Sequence, residues 1–131
     1  MPLSSYGRNF YADLIVGIES SPPAMWMVLT SVSVTSSDDG STITEASPRF
    51  QLLPGSGTWA QTSEGLRTYT GTTDYFLEES YDPWGLVVGY AIVDSLTAGT
   101  GNVLFYGSIT PTEMIGPMVI TFDDLAIEVP A

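Results

Sequence analysis

With 131 residues, 44% of them hydrophobic and only 14% charged, the chain is sized for one domain with its own core, and a surface covered by Ser, Thr, Gly and Asn favours an all-β fold over helices or disorder. Three arginines (Arg8, Arg49, Arg67) stand against fifteen Asp and Glu, and a net charge of −12 repels both nucleic-acid phosphates and anionic lipid. The absence of Cys, His and Lys removes disulfides, Cys/His zinc sites, thiol nucleophiles, serine–histidine relays and Schiff-base chemistry, leaving carboxylate catalysis or an oxygen-ligated Ca²⁺ or Mg²⁺ site.

The first element is a short helix over about residues 4–18. Tyr6, Phe10, Leu14 and Ile18 recur every four residues, and Tyr11 and Ile15 widen the stripe. Ser4 or Ser5 can cap its start, and Pro22-Pro23 is expected to stop it, because proline neither donates the helical bond nor tolerates helix before it. The stripe can pack on the chain's own sheet or dock on a neighbouring subunit. In the second case Tyr6, Phe10, Tyr11, Leu14 and Ile18 form the subunit interface.

Beyond Pro23 the periodicity becomes that of strands. Met25-Trp26-Met27-Val28-Leu29-Thr30 is a continuous apolar run, as a fully buried strand requires. Ser31-Val32-Ser33-Val34-Thr35 alternates with period two, and Asp38-Asp39-Gly40-Ser41 then reads as a turn. Further strands are expected at 49–53, 58–60, 66–70 and 74–78. A long run from Leu86 to Asp94 contains Gly89, a sign of a bulge or of close packing. It forms a hairpin with Val103-Leu104-Phe105-Tyr106-Gly107-Ser108 across the loop 97–102. Pro111 and Gly116-Pro117 frame a loop, and strands at 118–122 and 125–129 close the chain. About seven to nine short strands with turn signals every eight to twelve residues predict a β-sandwich or jelly-roll-like domain with one short N-terminal α-helix, spanning 1–131 as a single unit.

Few residues point to chemistry. Glu78, Glu79 and Asp82 lie near Tyr81 and Trp84, but a glycosidase needs two carboxyls at a set separation, one of them buried, and adjacent acids in a polar loop are ordinary turn residues. Asp38-Asp39 and Asp123-Asp124 lack the alternating Asp and later Glu of a calcium loop. Gly55-Ser56-Gly57 and Gly99-Thr100-Gly101 have neither a following lysine nor a helix N-terminus to hold phosphate. The aromatics, Trp26, Phe50, Trp59, Tyr69, Phe76, Trp84, Tyr90, Phe105 and Phe122, fall in or beside strands and read mainly as core. No catalytic, cofactor-binding or metal-binding residue is assigned, and no enzyme is expected. Apolar stretches fall short of the roughly 20 residues that span a bilayer, and Met1-Pro2-Leu3-Ser4-Ser5 does not resemble an export signal, so synthesis in a cytoplasm is expected.

The order of these pieces carries a resemblance. A short amphipathic helix leads through Pro22-Pro23 to an apolar strand. Later come Trp84-Gly85-Leu86-Val87-Val88-Gly89-Tyr90-Ala91-Ile92-Val93-Asp94 and Gly101-Asn102-Val103-Leu104-Phe105-Tyr106-Gly107-Ser108-Ile109-Thr110-Pro111, before a final apolar pair of strands. This layout resembles a family of small tailed-bacteriophage proteins described as tail-fibre-like or minor virion structural proteins. Its specific words lie in residues 84–111. In the middle, only Pro48-Arg49-Phe50 stands where the family has a Tyr-Ala-Arg strand.

The resemblance implies a virion protein, made in a host cytoplasm, that works by oligomerising with itself and binding other virion proteins. Nucleic acid and membrane are not among the expected partners. Capsid-surface decoration is the nearest alternative. A carbohydrate-binding module is a further one, and through it a host glycan enters as a partner.

Overall fold

The computed structural model describes residues 2–52, 59–63, 66–69, 74–77, 83–121 and 126–128. The helix begins where Ser4 can serve three roles at once. Its hydroxyl accepts the Gly7 N–H at 2.9 Å and donates to the Val103 carbonyl, while its own N–H donates to the Leu104 carbonyl at 2.9 Å. Helix α1 runs Ser5–Ile15 and ends three residues short of the expected Ile18. The stop is Gly17 and not the prolines. At φ +80° it takes the left-handed conformation that a glycine reaches without strain. The Gly17 and Ile18 N–H groups then donate back to the Leu14 and Asp13 carbonyls at 3.3 and 2.9 Å, a Schellman closure.

The described strands, in chain order, are β1 (Met25–Thr30), β2 (Phe50–Leu52), β3 (Trp59–Ser63), β4 (Leu66–Tyr69), β5 (Asp74–Leu77), β6 (Gly85–Val93), β7 (Val103–Met114), β8 (Met118–Thr121) and β9 (Ala126–Glu128). They pair antiparallel in three groups: β2-β1-β6-β7, β3-β4-β9 and β5-β8. The protein is therefore mostly β, with one short helix and an open antiparallel four-stranded sheet.

Both faces of that sheet are covered at its centre. Met25, Met27 and Leu29 of β1 join Leu52, Val87, Ile92, Leu104 and Met114 in one buried cluster that also takes in Tyr69 of β4. Val28, Ala91, Val93 and Val103 form a second cluster on the other face, closed by Val34 with Ile43 packed against it. This explains why β1 is apolar without alternation: each successive side chain enters a core.

Three expectations need correction. Residues 31–35 are not a strand. Val32 is 56% exposed whereas Val34 is buried, so the two do not share the single face that period two demands. The backbone turns because an Asp38 carboxylate oxygen takes the Thr35 N–H at 2.8 Å. Residues 111–114 are not a loop either, since β7 passes through Pro111 and pairs again as Val87↔Thr112, Leu86↔Glu113 and Gly85↔Met114. The register shifts between Val87 and Gly89, which face Thr112 and Ser108, so Pro111 lies in a bulge on an outer strand, where its missing N–H costs no ladder bond. The third correction is the earlier end of α1.

Candidate functional site

Residues 2–4 tie α1 to the sheet by running antiparallel to the start of β7. Leu3 bridges Phe105, and the Tyr106 N–H donates to the Pro2 carbonyl at 3.2 Å. Gly7 is then pressed against the Leu104 carbonyl, so close that a side chain at this position would collide with it. The inner face of the helix is thus centred on Gly7, with Phe10 and Leu14 half-buried three and seven residues on.

This anchoring divides the five candidate interface residues. Phe10 and Leu14 belong to the partly covered side. Tyr6 and Tyr11 are exposed on its flanks, and Tyr6 lies 6.2 Å from Phe10, ring centre to ring centre. Ile18 is 72% exposed, and beside it Ile15 and Val16 are each 69% exposed. Sequence reasoning placed Ile15 on the stripe without making it an interface residue, and it missed Val16. The signal that could have found Val16 is Gly7 itself, since a glycine inside an amphipathic helix marks the line of closest approach and a residue nine positions on lies on the opposite side.

The surroundings of this apolar end are acidic. No Lys, Arg or His stands in the last turn of α1, where the negative end of the helix dipole lies. The Tyr6 phenol is pushed up, first by partial burial and then by the carboxylates of Asp94, Glu19 and Asp13. The patch can therefore bury apolar surface and attract positive charge.

A second constellation is structural and was not foreseen. The Arg49 guanidinium, 1% exposed, donates from Nε to Glu45 Oε1 at 2.8 Å and from Nη2 to Oε2 at 3.2 Å. Its Nη1 reaches the Ser95 and Thr100 carbonyls at 2.7 and 2.9 Å. Glu45 Oε2 also accepts the Gly99 N–H at 2.8 Å, so this ion pair holds the β6–β7 hairpin loop against the segment before β2.

The remaining candidates resolve into turn chemistry. Asp39 Oδ1 accepts from the Ser41 N–H and hydroxyl and from the Thr42 N–H, and Asp38 accepts from Thr35 and Thr42. These bonds hold both carboxyls below the usual aspartate range, led by the Thr35 backbone N–H for Asp38 and by the Ser41 hydroxyl for Asp39. Asp94 accepts from the Asn102 N–H at 2.6 Å and its side-chain amide at 3.1 Å. Among the described residues no three Asp or Glu side chains converge as a cation site would require.

At the hairpin tip, the Gly99 N–H is taken by Glu45 and the Gly101 carbonyl by Gly40, which is ladder and clamp geometry and not a phosphate cradle. Trp26, Phe50, Trp59, Tyr69, Trp84, Tyr90 and Phe105 are all buried or half-buried, with Phe50 edge-on to Trp84 and Trp59 edge-on to Tyr69. Burial alone pushes the Tyr90 phenol up. Glu78, Glu79, Tyr81, Asp82, Gly55, Ser56, Gly57, Phe122, Asp123 and Asp124 lie outside the described residues, as do the side chains of Arg67 and Phe76.

No family model matches the chain, and no curated protein matches it.

Proposed function

We propose that this chain is a non-enzymatic structural protein that works by assembling with other protein subunits, and that the assembly is the virion of a tailed bacteriophage, in its tail or fibre. The observation that carries the assembly reading is the apolar end of α1. Ile15, Val16 and Ile18 are each more than two-thirds exposed, although the helix is fixed to the body at its other end. Three apolar side chains within four residues, held out on a fixed scaffold, suit a docking surface. The phage assignment rests on the resemblance carried by residues 84–111. For the fold we propose the β-sandwich or jelly-roll-like form. Its support is that the first core cluster joins Tyr69 of β4 to the four-stranded sheet, with Trp59 of β3 and Ile120 of β8 packed against it.

Purified phage particles provide the test. Mass spectrometry should find the chain in banded particles of the phage that encodes it. The I15S/I18S variant, supplied in place of the native chain, should be depleted from them while remaining soluble. A native chain missing from particles would overturn the virion reading, and a variant incorporated at the native level would overturn the role of the helix.

A further inference from the structure

We infer that the apolar end of α1 docks a protein surface that is apolar at its centre and basic at its rim, and not a second copy of this chain. This rests on the assembly reading above and deepens it by naming the chemistry of the partner. Charge selects the partner. Asp13 stands in the last turn of the helix and Glu19 just beyond its cap, so both flank Ile15, Val16 and Ile18. The helix adds its own negative end, with no cation in its last turn to offset it. An apolar patch ringed in this way is complemented by Lys and Arg.

Among the described residues a second copy offers little to supply that complement. Of the three arginines, Arg67 has its side chain outside the described residues, and Arg49 is withdrawn into its ion pair with Glu45 and is 1% exposed. Arg8 is the cation nearest the patch in sequence, but it lies about 10 Å from Ile15 along the helix axis, at the far end of the element. Two copies meeting face to face would oppose two acidic rims, each carrying Asp13 and Glu19 on a molecule of net charge −12. Like charges opposed across a symmetric contact work against association. A basic partner turns the same carboxylates to attraction, while the three apolar side chains provide burial.

The test uses the full chain and two labelled amphipathic helical peptides, each about four turns long, one of Leu and Lys and one of Leu and Glu. Fluorescence anisotropy reads binding, and light scattering reads the mass of the chain alone. The Leu–Lys peptide should bind and the Leu–Glu peptide should not. Binding should weaken about tenfold or more in I15S/I18S, which leaves every charge in place. In D13N/E19Q it should weaken less, with a shallower loss between about 0.05 and 0.3 M salt. Unchanged thermal melting of both variants shows that they fold.

Equal binding of the Leu–Lys peptide to I15S/I18S would mean that bulk charge alone attracts it, and would overturn the inference. So would equal binding of the Leu–Glu peptide. If the native chain self-associates, I15S/I18S is monomeric and neither peptide binds, the occupant is a second copy: the inference fails and the assembly reading stands. Neither peptide binding to a chain that stays monomeric would defeat both.

Discussion

Replacement of Arg49 by methionine should cost about 3 kcal/mol, and the figure follows from what the substitution leaves behind. The guanidinium makes four hydrogen bonds of 2.7–3.2 Å, two to Glu45 and one each to the Ser95 and Thr100 carbonyls. Methionine fills much of the space but donates nothing. Glu45 then keeps only the Gly99 N–H, and two carbonyls lose their donor. Removing one partner of a buried ion pair costs about 3–5 kcal/mol, because the other charge stays behind unpaired. Glu45 is 15% exposed and can recover some hydration, which favours the lower end. For a chain of this size the loss corresponds to a fall in Tm of about 10 °C.

Circular dichroism melting measures the total, and amide hydrogen exchange locates it, with the fastest gain in exchange expected in residues 95–101. The double variant E45Q/R49M should recover part of the loss, since a neutral amide can still accept the Gly99 N–H. The mutant cycle should then give a coupling of about 2 kcal/mol. A Tm within about 2 °C of the parent, or strict additivity in the cycle, would refute the reasoning that this pair clamps the hairpin loop.

Other expected outcomes test separate parts of the structure. The Thr30 hydroxyl is fully buried and finds no hydrogen-bond partner among the described residues, so Thr30→Val should be neutral or stabilising by about 1 kcal/mol in urea unfolding. Phe10→Ser and Leu14→Ser should each destabilise by about 1–3 kcal/mol, whereas Ile15→Ser and Ile18→Ser should stay within about 0.5 kcal/mol, because only the first pair lies on the covered side of α1. Asp38 and Asp39 have folded pKa values below the ordinary 3.8, so their contribution is fully present above that value and is lost as pH falls through the lowered folded values. Acid titration of D38N/D39N should therefore show a flatter loss of stability below about pH 4 than the parent.

What the sequence made legible was what depends on local pattern. The unbroken apolar run of β1 signalled burial on both faces, and the paired runs around 97–102 signalled the β6–β7 hairpin. Ser4 was readable as the helix cap because capping is a three-residue relation. Long-range geometry was not readable. The end of α1 at Gly17 competed with a stronger-looking stop at Pro22-Pro23, and nothing local decides between them. The passage of β7 through Pro111 depends on its being an outer strand with a bulge, which is a property of the sheet. Glu45 and Arg49 are four residues apart, yet their value lies in the Ser95 and Thr100 carbonyls about fifty positions away. For the candidate site, the four-residue period identified the apolar stripe. Which half of it faces solvent was set by Gly7 meeting the Leu104 carbonyl, a contact no periodicity reports.

The central claim, that α1 presents a protein-docking surface at its C-terminal end, is tested most directly by a photo-crosslinking amino acid placed at Val16 during phage infection. The account predicts a discrete adduct with a virion protein rich in Lys and Arg, absent when the same group is placed at Gln51 on the exposed side of β2. Equal, unspecific labelling from both positions, or none from Val16 in assembled particles, would contradict it.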